Sequence, residues 1–119
     1  MLVRQVAKEL DISSSFLAKI IQTLGRRGFI RSHKGPGGGV ALARRPESIT
    51  LLQVIEALDG TGFREACLLG IPDCSDETPC PLHEQWGGIR QDIVRMLGDR
   101  SVAAFAGQLK EHGYVLARV

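Results

Sequence analysis

The sequence lacks three features that define whole classes of protein. It has no apolar run long enough to span a bilayer, and its charged first ten residues lack the apolar stretch of a secretion signal. No nucleophile–base pair, paired carboxylates or phosphate-binding loop stands out, since no Lys-Ser/Thr follows the glycine-rich segment GPGGG. These absences predict a cytoplasmic protein that is not an enzyme and has neither a membrane partner nor a small-molecule substrate.

Acidic residues are scarce in the first 45 positions. This segment holds nine Lys or Arg against two Asp or Glu, a balance of +7, whereas residues 46–119 carry a balance of −5. The net charge of +2 hides this asymmetry. A basic segment joined to an acidic one is typical of a chain that contacts a polyanion through one part. A merely solvated basic surface gives the same pattern, so charge alone leaves both interpretations open.

The basic segment has the periodicity of two short helices joined by a tight turn. Apolar residues follow helical spacing before Asp11, and again after Ser13 or Ser14, either of which can cap the second helix. We expect that helix to end at Gly25 and Gly28. Its expected apolar face consists of Phe16, Leu17, Ile20, Ile21 and Leu24. The pattern predicts a helix-turn-helix, although a plain helical hairpin also fits it.

A glycine-rich turn follows, between two strand-like runs. FIRSHK and VALA flank GPGGG, which the interior of a helix or strand does not tolerate. A helix-turn-helix followed by such a hairpin predicts a winged helix, whose second helix enters the major groove while the hairpin contacts the backbone or minor groove. A flexible linker is the alternative interpretation of the glycines. The predicted DNA-binding residues are Ser13, Ser14, Ser15, Lys19, Gln22, Arg26, Arg31, Lys34, Gly37 and Gly38.

The rest of the chain divides into a helix, a loop and a longer helix. Thr50 and Gln53 form a capping-box signature, and the helix that they begin is expected to end at Gly60. Apolar residues recur at three- and four-residue steps from Trp86 to Leu97, which predicts a long helix that pairs with a second copy of the chain. The predicted fold class is mainly α with a small β-hairpin. The predicted units are 1–46 (winged helix-turn-helix), 47–66 (connecting helix), 67–83 (cysteine loop) and 84–119 (dimerisation helix and C-terminal tail).

Cysteine is absent outside one short loop, which holds all three thiols of the chain. Cys67, Cys74 and Cys80 are followed by His83. Clustered thiols in a reducing compartment indicate metal binding or redox chemistry rather than a structural disulfide. An iron–sulfur cluster, a zinc site and a thiol switch all fit. The close cysteine pairs of most zinc sites are missing, and acidic neighbours are expected to raise the thiol pKa, which argues against a switch without metal.

Residues 31–60, with the spaced cysteines and the segment CPLH, resemble the Rrf-type winged-helix transcriptional regulators, which include IscR-like and NsrR-like members. The resemblance covers nearly the whole chain. It implies a homodimer whose binding to a double-stranded DNA operator is controlled by an iron–sulfur cluster on Cys67, Cys74 and Cys80. His83 falls where IscR-like members place a histidine ligand, so 2Fe–2S is expected in preference to 4Fe–4S. The alternatives are a zinc or thiol-redox form of the same regulator, and an iron–sulfur carrier that does not bind DNA.

Three departures from the family pattern carry expectations of their own. Members usually begin with an additional helix that packs into the dimer core, and this chain starts at what would be their second helix. Ala18 replaces a glutamate of the IscR-like recognition helix and cannot accept a hydrogen bond from cytosine, so a relaxed or different operator preference is expected. The interval from Cys67 to Cys74 is longer than in IscR-like members, so a bulge is expected at Gly70.

Overall fold

The computed structural model describes residues 1–35, 38–60 and 62–113. Within these ranges the chain forms five α-helices, an antiparallel hairpin and two single 3-10 turns, at Pro46–Ser48 and Gly62–Arg64. The prediction of a mainly α fold with a small β-hairpin is confirmed. The elements are α1 (Val3–Leu10), α2 (Ser14–Arg26), β1 (Ile30–His33), β2 (Gly39–Leu42), α3 (Leu51–Asp59), α4 (His83–Gly98) and α5 (Val102–His112).

Helices α1 and α2 form the predicted helix-turn-helix around a first small core. Asp11 ends α1 in the left-handed conformation, with φ 54°, and turns the chain towards α2. Ser13 caps α2, because its Oγ accepts the backbone N–H of Phe16 at 3.1 Å. The buried residues of this core are Ala7, Leu17 and Ile21, with Val3, Val6, Ile12, Ile30 and Val40 packed around them.

Two details of α2 differ from the sequence-based expectation. Gly25 lies inside the helix, and the chain leaves it at Gly28, whose φ of 82° favours glycine. Phe16 is not buried: 57% of the residue is exposed. Successive helical residues are rotated by about 100°, so Phe16 lies well to one side of its neighbour Leu17 and outside the core.

The hairpin is closed by glycines and by the first residue of the chain. Strands β1 and β2 pair from Ile30 with Leu42 to His33 with Gly39. The backbone N–H and C=O of Val40 also pair with Met1, at 2.6 and 2.9 Å. A side chain at Gly39 would collide with the Met1 carbonyl, and a Cβ at Gly38 would lie 2.5 Å from the carbonyl oxygen of residue 33. The hairpin's own packing therefore requires these two glycines.

A second core ties the hairpin to α3 and α5. Its buried residues are Phe29, Ile49 and Ala57, and Leu24, Ile30, Val54 and Val102 pack against them. The predicted capping box of Thr50 and Gln53 is present at the start of α3, and Gly60 is the C-cap of that helix. The segment predicted as a tail contains α5, which returns to this point: the N–H of Val102 donates to the carbonyl of Ile49 at 2.7 Å.

Helix α4 carries an uncovered apolar stripe. Ile89 is 48% exposed, Ile93 37% and Met96 55%. Exposed apolar side chains in a row along one helix are typical of an interface that a single chain leaves open. In the part of the chain that the structure describes, no helix is long and apolar enough to cross a membrane.

Candidate metal centre and DNA-binding surface

Short turns shape the loop that carries the cysteines. The N–H of Gly70 donates to the carbonyl of Cys67 at 3.1 Å, and Gly70 adopts φ 72°, so the first turn falls where the bulge was expected. The N–H of His83 donates to the carbonyl of Cys80 at 3.1 Å and leads the chain into α4. Each turn folds the backbone back beside a cysteine, which brings distant thiols together.

The three thiols converge on one point. Their Sγ atoms all lie within 4.8 Å of one another, and those of Cys67 and Cys80 are 3.7 Å apart. Each cysteine is half-buried and free of a disulfide. Ligands on one tetrahedral ion with bonds of about 2.3 Å lie roughly 3.8 Å apart. The thiols of Cys67 and Cys80 are thus as close as two ligands of one ion, and thiolates are also the usual ligands of iron–sulfur clusters.

His83 lies beside one of the three thiols but outside the group whose ligand atoms all lie within 4.8 Å of one another. Its Nδ1 lies 3.1 Å from the Sγ of Cys74, and its Nε2 lies 2.8 Å from a carboxylate oxygen of Asp76. An imidazole that binds a metal usually donates its other N–H to a carboxylate or carbonyl, which fixes the tautomer and the ring orientation. The three convergent thiols fit an iron–sulfur cluster or a zinc ion, and the contact with Asp76 holds the His83 ring next to Cys74.

Asp76 is the residue of this site that the sequence analysis missed. Acidic residues of the loop were considered only as neighbours that raise the thiol pKa. The available signal was the short sequence distance between Asp76 and His83, with both residues in the segment that carries the cysteines.

Backbone amides, rather than acidic side chains, set the thiol pKa of Cys67. The N–H of Ile71, assisted by that of Leu69, lowers the pKa of Cys67 to about 7, although partial burial opposes this shift. The expectation of a raised pKa is therefore wrong for Cys67. It holds in direction for Cys74, but for another reason: the N–H of Cys80 lowers the pKa of Cys74, and burial with the neighbouring thiols outweighs it.

The loop is fastened to the helices on both sides. The carbonyl of Ala66, directly before Cys67, accepts the indole N–H of Trp86 at 2.8 Å and a guanidinium N–H of Arg90 at 3.0 Å. Trp86 and Arg90 both belong to α4. On the other side, the guanidinium of Arg64 forms an ion pair with Glu56 of α3. The residue before Cys67 is thus held to α4 by two hydrogen bonds.

The predicted DNA-binding residues lie on α2 and the hairpin. A cavity of about 640 Å³ between the start of α2 and the hairpin is lined by Arg4, Ser14, Ser15 and Gly38, among others. Gly38 is half-buried, and Gly37 lies outside the described residues. The other predicted residues are all exposed: Ser13, Ser14, Ser15, Lys19, Gln22, Arg26, Arg31 and Lys34. Their contact with DNA stays a prediction.

Comparison with known proteins identifies the family. The family described as Rrf2, iron-dependent transcriptional regulator, matches residues 1–108. The chain belongs to this family and is a transcriptional regulator of the Rrf2 type.

Individual relatives agree with this assignment. The chain is 38% identical to a helix-turn-helix-type transcriptional regulator of Aquifex aeolicus (strain VF5), over 98% of this chain and 82% of the relative. It is 30% identical to the transcriptional regulator IscR of Vibrio atlanticus (strain LGP32), over 93% of this chain but 61% of that protein. These relatives are transcription regulators and not enzymes.

Two solved structures share the fold. The IscR of T. potens superimposes with a TM-score of 0.73 at 21% identity, over 96% of this chain and 74% of that one. CymR, the global cysteine regulator of B. subtilis, superimposes with a TM-score of 0.74 at 21% identity, over 91% of this chain and 78% of that one. At this level of identity, the comparison shows the winged-helix fold alone.

Proposed function

We propose that this regulator binds a DNA operator as a homodimer, and that an iron–sulfur cluster on Cys67, Cys74, Cys80 and His83 controls the binding. The convergence of the three thiols within 4.8 Å, with an imidazole beside them, carries this proposal. The family is one of DNA-binding regulators described as iron-dependent. Because the proposed target is a DNA operator, we place the protein in the cytoplasm.

The pairing of the donors favours a 2Fe–2S cluster over a 4Fe–4S cluster. Such a cluster takes two protein ligands on each iron, and histidine replaces cysteine on one iron in some proteins. Here the donors form two close pairs: Cys67 with Cys80 at 3.7 Å, and Cys74 with His83 at 3.1 Å. Each pair would supply the two ligands that one iron needs. The two pairs would have to move slightly apart to make room for two irons between them.

The fastening of the loop supplies a route from the site to the DNA-binding surface. When bound, the cluster supplies metal–ligand bonds and one-electron redox chemistry. Cys67 follows Ala66, which is held by Trp86 and Arg90, and His83 is the first residue of α4. Ordering or releasing the loop would therefore displace α4 and, through a dimer built on α4, reset the distance between two copies of α2.

The exposed stripe of α4 supports the dimer. Ile89, Ile93 and Met96 find too little apolar partner surface within the described chain. A two-fold dimer would present two copies of α2 to half-sites about one DNA turn, or roughly 35 Å, apart. The basic charge of residues 1–45 makes the affinity salt-dependent, because each neutralised phosphate releases counterions.

One preparation tests the metal and DNA parts of the proposal. Protein purified without oxygen is assayed for iron, acid-labile sulfide and zinc, and the same sample is used for footprinting on DNA selected from random sequence. We expect iron and sulfide in the protein, and a two-fold footprint whose strength changes when the cluster is removed. Colourless protein that stays colourless after reconstitution, or a footprint indifferent to the cluster, would contradict cluster control.

A zinc-bound regulator is the second candidate, and the distance between two of the sulfur atoms is compatible with it. The Sγ atoms of Cys67 and Cys80, 3.7 Å apart, already lie at the distance of two ligands on one tetrahedral ion. The same preparation decides between the candidates. One zinc per chain with no sulfide, together with DNA binding that a zinc chelator abolishes, would establish the zinc form.

A further inference from the structure

A large aromatic ring lies exposed on the helix that the proposed function places in the DNA groove. Phe16 is the third residue of α2, and 57% of it is exposed. It belongs to neither core cluster. By contrast, the next phenylalanine of the chain, Phe29, is 8% exposed and sits in the second core. The fold therefore gains little from the ring of Phe16.

The surroundings of Phe16 are polar and basic. Ser13 and Ser15 precede it with their hydroxyl oxygens 3.4 Å apart, and the exposed Lys19 follows one helical turn later. The first residues of a recognition helix are the ones that contact base edges. Phe16 thus lies exposed at the end of α2 from which side chains reach base edges in helix-turn-helix proteins.

Among the groups at the base edges of the major groove, few suit an aromatic ring without polar atoms. Phenylalanine has no hydrogen-bond donor or acceptor, so it gains nothing from the polar edges of guanine, adenine or cytosine. The C5-methyl group of thymine is the apolar feature of the major-groove edges. Contact between this methyl group and the ring removes apolar surface from water on both sides.

We propose that Phe16 is a specificity-determining residue that contacts a thymine methyl group and makes the regulator prefer a T·A pair there. The inference rests on the proposed DNA-binding function and deepens it, since it names a feature of the operator. The preference is independent of cluster type and of the signal that the loop responds to. The alanine at position 18 already predicts an operator preference different from that of IscR-like members. Phe16 adds to this expectation, because neither side chain can form a hydrogen bond with a base.

The experiment removes one methyl group at a time. A binding site is first selected from random duplex DNA with the wild-type protein. Each thymine of that site is then replaced by uracil, which lacks only the methyl group, and the Kd is measured by fluorescence anisotropy. We expect uracil at one thymine of each half-site to weaken wild-type binding about fourfold, the factor for one buried methyl group.

Variants assign the effect to the ring. Phe16→Ala should bind the thymine and uracil duplexes equally well, whereas Phe16→Leu should keep part of the difference. Phe105→Ala removes an aromatic ring from α5, outside the predicted DNA-binding residues. It is the control and should keep the whole difference; because Phe105 shares a cavity with Met96 of the stripe, its dimer is verified by ultracentrifugation. The thermal midpoint of each variant verifies that the exposed substitutions leave the fold intact.

The outcomes separate this inference from the proposed function. In one outcome a specific two-fold site is selected, but Phe16→Ala weakens binding to the thymine and uracil duplexes by the same factor. This would place the ring against the sugar–phosphate backbone. That result overturns the methyl contact and leaves the regulator assignment standing. If no specific site is selected at all, the DNA-binding function and the inference fail together.

Discussion

The Nε2 atom of His83 lies 2.8 Å from a carboxylate oxygen of Asp76. A carboxylate accepts but does not donate, so a neutral His83 in this contact carries its proton on Nε2. The lone pair of Nδ1 then faces Cys74, whose Sγ is 3.1 Å away. The contact therefore selects the tautomer whose Nδ1, on the side of Cys74, is free to bind a metal, although the Asp76 side chain is fully exposed.

Removing Asp76 should weaken metal retention. We expect Asp76→Ala to lose iron to a chelator about 10 times faster than the wild type, at the lower end of the range for outer-shell carboxylates because Asp76 is exposed. Asp76→Asn keeps an acceptor oxygen and should lose less. Glu77→Ala, the acidic neighbour, is the control and should behave as the wild type. Equal loss rates for the Asp76 and Glu77 variants would show that local charge, not the contact with His83, matters.

The metal-free protein should show distinct thiol reactivities. The lowered pKa of Cys67 means that its thiolate forms at lower pH than that of Cys74, whose pKa is raised. Alkylation of Cys67 should therefore reach half its maximal rate near pH 7, and that of Cys74 only at higher pH. Pulsed iodoacetamide labelling with mass spectrometry of the peptides measures both profiles. A common profile for the two cysteines would contradict the role of the Ile71 amide.

The indole of Trp86 should be needed for communication between the loop and α4. Trp86→Phe keeps an aromatic ring but removes the N–H that donates to Ala66. We expect the ratio of operator affinities with and without the metal group to fall several-fold. It should not be lost entirely, because the bond from Arg90 to Ala66 remains. Operator affinities of loaded and metal-free protein give the ratio. Trp86→Ala, which also removes packing, should reduce it further; a ratio unchanged in both variants would exclude this route.

A charge on the stripe of α4 should separate the dimer. Ile93→Glu places a carboxylate in the proposed apolar interface, where an unpaired charge is strongly unfavourable. Analytical ultracentrifugation should show a monomer at concentrations where the wild type is a dimer. Gln91→Glu adds the same charge at an exposed position of the same helix and should stay dimeric. A dimer in both variants would place the interface elsewhere.

The capping box at the start of α3 should be a local source of stability. Thr50 accepts the backbone N–H of Gln53 at 3.1 Å, and the Gln53 side chain accepts the N–H of Thr50 at 2.9 Å. Thr50→Ala removes the first bond and should lower the free energy of unfolding by about 1 kcal/mol in urea titrations. Thr50→Ser keeps the oxygen and should lose much less. An equal loss in both variants would point to the methyl group instead.

The parts of the fold that short-range patterns control were predictable from the sequence. The caps at Ser13 and Thr50, the helix end at Gly60 and the glycine-tipped hairpin follow from side-chain and backbone preferences within a few residues. The clustering of the three cysteines in one loop was enough to name them as a candidate site, but their spacing does not determine how closely the thiols approach.

Features that depend on contacts between distant segments were not predictable. The segment predicted as a tail contains α5, whose first residue, Val102, donates a backbone hydrogen bond to Ile49. The exposure of Phe16 depends on where α1 packs against α2. The lowered pKa of Cys67 arises from backbone N–H directions, which periodicity and charge counts do not contain. Asp76 joins the site only when the loop closes on His83.

The pairing of Met1 with Val40 has a practical consequence for anyone who produces this protein. Any residues attached before Met1 must leave the molecule beside the hairpin, and the cavity there is also lined by Ser14 and Ser15. An affinity tag fused at that end would emerge next to the surface proposed to meet DNA, and a histidine-rich tag could itself hold metal. Purification should therefore use a tag that is cleaved without leaving extra residues before DNA-binding or metal measurements.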